Sequence, residues 1–297
     1  MLVQPGEPTI LEIALQWMKQ RPLKAVFLMV LSVVVGFTLY GVSRPASHDR
    51  DFVEHLSRLP HVESNEDAFS IAPVRAWRYS GNEVGEKHWQ EEKQVYRYDE
   101  LENIWFVVEP HPGLNAMAHT LVLFEFSDDR LLGLTIEARR EVGEKYSAFW
   151  GNWGKFELAY IWADAQDLLL RRAVYLNHEI EIYPVAEADV YGPQLLRDLL
   201  DNTQAIEAKP RLYNTLFSNC TNELAKTAGF DWAPAFILTG YAADYLHSNG
   251  LLASRREFDD LKRIANVTNK LRAYPAPAGD RRIFDRWLLE ELRQTAF

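Results

Sequence analysis

The alternation of hydrophobic and polar positions along this chain changes character three times. Between Lys24 and Arg44 there is no alternation: AVFLMVLSVVVGFTLYGVS carries no charge and no polar face. At 1.5 Å per residue such a run makes a helix of about 28 Å, close to the hydrocarbon thickness of a bilayer. A buried core helix would show a polar face. A cleaved leader would have a shorter apolar run and a small-residue exit, whereas this exit reads GVSRPAS. The expectation is an uncleaved transmembrane anchor over residues 24–43. Lys19, Arg21 and Lys24 flank its start and direct residues 1–23 to the cytoplasm, although Arg44 and Arg50 blunt the asymmetry. Further upstream, Ile10, Ile13, Ala14 and Trp17 recur at helical spacing, the pattern of a helix lying along the inner membrane surface.

Beyond the anchor, residues 44–70 begin RPASHDRD, continue as FVEHLSRLP, and read as a juxtamembrane spacer. From Ile71 the texture becomes strand-like. VRAWRYS, KQVYRYD and NIWFVVE are rich in Val, Tyr and Trp and separated by polar turns. A hairpin follows, AHTLVLFEF and RLLGLTIEARRE, closing over Ser127, Asp128 and Asp129. AYIWA and EIEIYPV are further strands. The period then lengthens: YGPQLLRDLLDNTQAI and NCTNELAKTAGF are helical, the second stopped by Gly229, and helices continue from AFILTGYAADYLHSNGLL to DRWLLEELRQ. ADAQDLLLRR and DDLKRIANVTNKLR read as ordinary solvated helix faces. Strands first and helices afterwards predict an α+β domain on an antiparallel sheet over 71–255, with a helical extension over 256–297.

Composition narrows the partners. A formal net charge of −10 without any basic block argues against nucleic acid, whose phosphates need clustered Lys and Arg. A single cysteine, Cys220, excludes intramolecular disulfides and a cysteine metal cage, and the sequence has no Gly-rich phosphate loop and no HExxH. Neither a metal nor a cofactor is expected.

The lone cysteine sits in YNTLFSNCTNEL, behind Ser218 and Asn219, both good N-cap residues. A helix start lowers a thiol's pKa and offers free N–H groups to an oxyanion. A free cysteine is also among the residue types most often buried for packing, so position alone leaves both readings open. A nucleophile needs a base. His48, His55, His61, His88 and His111 lie in loops or charged stretches, whereas His119 heads an otherwise apolar strand interrupted by Glu125. With the hairpin closed over Ser127–Asp129, paired positions sum to about 256, which sets Glu137 opposite His119 on the same face. A carboxylate there would hold the imidazole in one tautomer, and Arg139, on the same face, would compete for its charge. Phe149, Trp150, Trp153 and Phe156, interleaved with Gly151 and Gly154, are either core filler or a loop that touches acyl chains or the membrane interface.

In order along the chain, AHTLVLFEF, LTIEARREVGEKYS, FELAYIWADAQDLLLRR, PRLYNTLFSNCTNEL and AFILTGYAADYLHSNGLL resemble the N-terminal periplasmic domain of the lipoprotein N-acyltransferases called Lnb. The resemblance covers roughly residues 70–255, and NCT preceded by YN is its most specific element. It implies a circularly permuted papain-type or NlpC-type fold, in which the histidine strand precedes the cysteine helix, as in lecithin:retinol acyltransferase-like enzymes. It implies Cys220 as nucleophile on a phospholipid ester, His119 as general base, and an inner-membrane protein with its domain in the periplasm. The acyl acceptor would be the N-terminal amine of a lipoprotein. Glu137 as third member is inferred from strand pairing rather than from the resemblance. Asn219, Tyr213, Arg139, Trp150 and Trp153 complete the expected substrate-binding set. In that family further membrane spans follow the catalytic domain, whereas here the span precedes it, which leaves the acceptor open. A phospholipid hydrolase would use the same dyad, and an NlpC-type cell-wall peptidase or amidase and a non-catalytic envelope binding module are the alternatives.

Overall fold

The computed structural model describes residues 9–275 and 281–294. Of the segment 1–23, residues 1–8 therefore lie outside the described residues. Helix α1 (Ile10–Gln20) is followed directly by α2 (Pro22–Ser43). The break falls at Arg21, whose backbone leaves the helical region (φ −135°, ψ 61°) because the residue before a proline is pushed out of it. Pro22 then starts α2 at a position where no N–H is needed. Among the described residues one stretch, Pro22–Gly41, is long and apolar enough to cross a membrane, and none of it is buried inside the protein.

The strands that follow are β1 (His61–Ser64), β2 (Ala68–Ala72), β3 (Val74–Arg75), β4 (Arg78–Ser80), β5 (Glu83–Glu86), β6 (Trp89–Gln90), β7 (Gln94–Arg97), β8 (Leu101–Pro110), β9 (Ala118–Phe126), β10 (Leu131–Arg139), β11 (Glu157–Asp164) and β12 (Glu181–Pro184). Seven of them form the main sheet in the order β12-β8-β9-β10-β11-β3-β6, antiparallel except for the β11–β3 pair. A three-stranded sheet, β1-β2-β7, stands beside it, and β4 and β5 form a separate pair. The expected α+β class and antiparallel sheet are what the chain adopts.

Strand β9 explains why AHTLVLFEF lacks clean alternation. Thr120, Val122, Phe124 and Phe126 are buried on one face and Leu121, Leu123 and Glu125 on the other. The helices that follow in the chain are α3 (Ala148–Gly151), α4 (Ala165–Leu170), α5 (Ala188–Ala208), α6 (Cys220–Thr227), α7 (Ala242–Ser248), α8 (Phe258–Ala265), α9 (Thr268–Ala273) and α10 (Arg281–Gln294). Side chains of α5 and α6 build the core on the first face, and those of α4, α9 and α10 build the core on the second. The charge in the strand is accounted for as well. Glu125 accepts from Trp105 Nε1 (2.8 Å) and Asn103 Nδ2 (3.0 Å) and pairs with Arg293 of α10 (2.7 Å).

Three expectations about organisation are corrected. Residues 44–70 are not a free spacer: Arg44 pairs with Glu141, Arg50 Nε lies 2.7 Å from the buried Glu157, Phe52 and Leu56 are buried, and β1 and β2 begin before Ile71. The segment 256–297 is not an appendage either. Phe284, Leu288, Leu289 and Leu292 of α10 are buried against Leu121, Leu123 and Leu131, so the sheet needs α10 to cover its second face. ADAQDLLLRR is no solvated face: all of α4 is buried, Asp167 pairs with Arg75 (2.9 Å), and the chain continues as a π-helical turn, Arg171–Tyr175. In the first and last of these, charged residues suggested solvent, and the charges are instead paired within the fold.

If α10 is core, Leu289→Ala destabilises the protein by about 2–5 kcal/mol, the cost of a buried leucine cavity. Urea denaturation of the full chain checks this; a loss under about 0.5 kcal/mol, as for a surface site, would contradict it.

Candidate active site

The cysteine helix is set by its own polar residues. Asn219, in extended conformation, caps α6: its Oδ1 accepts from Asn222 N (2.8 Å) and its carbonyl from Glu223 N (3.0 Å). Just upstream, Asn214 Oδ1 accepts from the N–H groups of Leu216 (3.0 Å) and Phe217 (2.9 Å), turning the chain into the helix. Ser218 donates to Glu223 Oε1 (2.6 Å) and Tyr160 to Glu223 Oε2 (3.0 Å), which locks the first turn onto β11. Cys220 is thereby fixed at the first helical position and buried. The cap leaves the N–H groups of Cys220 and Thr221 outside its bonds.

His119 arrives from the sheet. Hairpin pairing runs Leu131↔Glu125 through Thr135↔Leu121, the sum of 256 that the turn residues predict. Past that pair the ladder between β9 and β10 ends, and α6 meets the strand there: Thr120 Oγ1 lies 2.9 Å from Thr221 Oγ1, and the Thr120 N–H points to the Cys220 sulfur. The thiol and the His119 ring stand close enough for each to favour the charged form of the other. Nε2 of His119 is engaged elsewhere, at 2.7 Å from Thr135 Oγ1 and 3.3 Å from Glu137 Oε1. That leaves Nδ1 for the sulfur.

Behind the imidazole lies a chain of charges. Thr135 accepts from His119 Nε2 and donates to Glu137 Oε1 (2.8 Å). Arg172, buried on the π-helical turn, donates from Nη2 to both Thr135 Oγ1 and Glu137 Oε1 (3.1 Å each) and from Nε to Glu109 Oε2 (2.8 Å). His178 Nδ1 in turn donates to Glu109 Oε1 (2.5 Å). Glu137, held at the ring by Thr135 and Arg172, favours a cation at His119.

The acidities follow. Burial opposes a charged His119, but Glu137 and Cys220 outweigh it and lift the imidazole to about 10. Burial also opposes a thiolate, yet the charge and hydrogen bond of His119, with the Thr120 N–H, bring Cys220 down to about 7. Glu137, against its own burial, is held well below the ordinary carboxylate range by His119 and then Arg172. Above neutral pH the site is a thiolate–imidazolium pair, the reactive form of a nucleophilic cysteine.

The remaining expected residues divide. Tyr213 belongs to the site: its hydroxyl lies 3.3 Å from that of Tyr146, and burial, then the negative charge of Cys220, suppress its ionisation. Asn219 does not face a substrate, because its Nδ2 is spent on the carbonyls of Thr215 (2.8 Å) and Phe236 (2.9 Å). Arg139 is absent from the site as well. It turns to the 44–70 segment, donating to the carbonyls of Leu56 (2.7 Å) and Ser57 (2.5 Å) and stacking on Phe52. Its expected competition for Glu137 is carried out by Arg172. Thr135 and Arg172 were missed, the first as one more apolar-strand threonine and the second inside a run read as a charged face. Trp150 and Trp153 meet the apolar helix α2, with Phe37 packed 5.6 Å and 5.0 Å from their rings. Trp153 also lines a groove of about 340 Å³ together with Phe37, Gly41 and Tyr213. Gly41 and Gly154 permit this approach, since a Cβ on Gly41 would stand 3.0 Å from the Trp153 carbonyl.

Among the described residues no three His, Cys, Asp or Glu side chains converge as a metal site. The family model of the Lnb N-terminal periplasmic domain matches residues 87–249, a stretch holding His119, Thr135, Glu137, Arg172, Tyr213 and Cys220. The chain belongs to the Lnb N-terminal periplasmic domain family. No curated protein and no solved structure matches it. In this member of the Lnb family the periplasmic domain follows a helix long and apolar enough to span a membrane.

Because the folded-state pKa of Glu137 lies below its ordinary value, its contribution to stability is present above about 4.5 and is lost as pH falls through the depressed value. Glu137→Gln is expected to be less stable than wild type at neutral pH, with the two stabilities converging in acid. Denaturation midpoints across the pH range check this; parallel curves would contradict it.

Proposed function

We propose that this Lnb-family domain is a membrane-anchored cysteine acyltransferase, built as a permuted papain-type site, that draws its acyl group from a phospholipid. The observation that carries the reading is Cys220 placed where His119 favours its thiolate, while Thr135 and Glu137 hold Nε2 of the ring. Thiolate, base and orienting carboxylate are the three parts a nucleophilic cysteine requires.

In the first half-reaction the Cys220 thiolate adds to the carbonyl carbon of a phospholipid ester. The C–O π pair moves onto oxygen, and the oxyanion is received by the N–H of Cys220 at the helix start and by the Tyr213 hydroxyl, which stays protonated beside the charged sulfur. Collapse expels the lysophospholipid alkoxide, which takes the proton of imidazolium Nδ1, and leaves a thioester on Cys220. In the second half neutral His119 removes a proton from an amine, such as a lipoprotein N-terminus, or from water. Attack of that nucleophile on the thioester transfers the acyl group and restores the thiolate and imidazolium. Thr135 and Glu137 keep Nδ1 aimed at the sulfur throughout.

Two features support a lipid donor over a cell-wall peptide. The aromatic loop rests on the apolar helix, with Phe149 and Trp150 still exposed, as aromatic side chains at a bilayer interface are. Residues 44–50 then tie the end of α2 to the domain through the Arg44–Glu141 and Arg50–Glu157 pairs, so the site is held near the membrane surface.

The test is reconstitution of the full chain in vesicles of acyl-labelled phosphatidylethanolamine, with and without a diacylated lipopeptide. Release or transfer of label is expected for wild type, none for Cys220→Ser, and a fall of about 10²–10⁴-fold for Glu137→Gln. Label turnover that survives Cys220→Ser, or cleavage of cell-wall peptide without lipid turnover, would overturn the proposal.

A further inference from the structure

A second cavity, of about 550 Å³, shares no lining residue with the groove at Trp153. Thr221, Leu224 and Ala225 of α6 form one wall and Phe106 and Val122 of the sheet another, while Leu195 of α5 and Leu246 of α7 close it. It begins beside the nucleophile: Cys220 Sγ is 3.8 Å from Thr221 Oγ1, and Thr221 lines the cavity. The Thr221 hydroxyl is already bonded to Thr120, so it asks nothing polar of an occupant. Exposed Glu187 and Gln194 and half-buried Asp198 mark the rim.

Size and charge select the occupant. The cavity's volume and its largely apolar walls suit a long hydrocarbon chain. The acidic rim disfavours a free fatty-acid carboxylate at that end, so a chain enters with its ester end at Cys220. We propose that this cavity binds an acyl chain of the donor ester, with the carbonyl at Cys220 and the chain running along α6 towards Leu246. The proposal deepens the acyl-transfer reading and rests on it for the position of the carbonyl.

Leu195→Trp and Leu246→Trp fill the cavity from two partly exposed walls. The full chain in detergent is assayed with p-nitrophenyl laurate and p-nitrophenyl butyrate, and thermal unfolding verifies the fold of each variant. The laurate-to-butyrate ratio of kcat/KM is expected to fall at least about tenfold in both, the effect of denying methylenes an apolar pocket. An unchanged ratio in folded variants would overturn the proposal. A second arm measures binding without turnover: Cys220→Ser is titrated with methyl parinarate, a long-chain ester fluorescent in apolar surroundings. Saturable binding, displaced by methyl palmitate and not by methyl butyrate, is expected; its absence would overturn the cavity assignment. Absence of ester turnover by wild type, with saturable parinarate binding retained, would sink the catalytic reading alone.

Discussion

The contact between His119 and Glu137 is what the rest of the site depends on. A cationic imidazole at the end of an interior strand is costly unless compensated, and Glu137 compensates it at 3.3 Å. Glu137 is itself held ionised by Arg172, and Arg172 by Glu109, so the charge on His119 is stabilised by a chain of bonds extending into the sheet. Each link sits on a different element: β9, β10, the π-helical turn and β8. The thiolate is the outermost member. Its proton resides on His119 because Glu137 and the thiolate itself favour the imidazolium.

This arrangement also explains why the sheet opens where it does. Were the β9–β10 ladder continuous beyond Leu121–Thr135, the Thr120 N–H would be tied to β10. It points instead to the Cys220 sulfur, as α6 approaches the gap. On the outside, the loop that carries Trp150 and Trp153 bears on α2 at Phe37, and Tyr213 is common to that groove and to the surroundings of Cys220. Membrane contact and nucleophile are therefore linked through one short segment, Tyr213 to Cys220.

Much of this was legible in the residues. A run with no polar face marked α2, the three turn residues set the register that brings Glu137 to His119, and SNCTN announced a capped helix with the thiol at its start. What escaped was the part in which polar residues act inside. Thr135 in LTIEAR is indistinguishable by pattern from a strand threonine that merely packs. Arg172 in DLLLRR looks like the end of an exposed helix, because local sequence does not reveal that a π-helical turn aims it at the sheet. Arg139 was misassigned for the converse reason. It shares a face with Glu137, but the carbonyls of Leu56 and Ser57, from a segment read as a spacer, claim its guanidinium. Asn219 was legible as a cap and over-read as a substrate contact. Long-range closure of α10 onto the sheet has no local signature at all.

The central claim is that the protein holds Cys220 as a thiolate paired with imidazolium near neutral pH. With one cysteine in the chain, the thiolate absorbance of wild type minus that of Cys220→Ser reports this group alone. Titration of the full chain is predicted to give a midpoint near pH 7, displaced upward in His119→Asn. A wild-type midpoint at or above the ordinary thiol value of about 8.5, unmoved by loss of His119, would contradict the account.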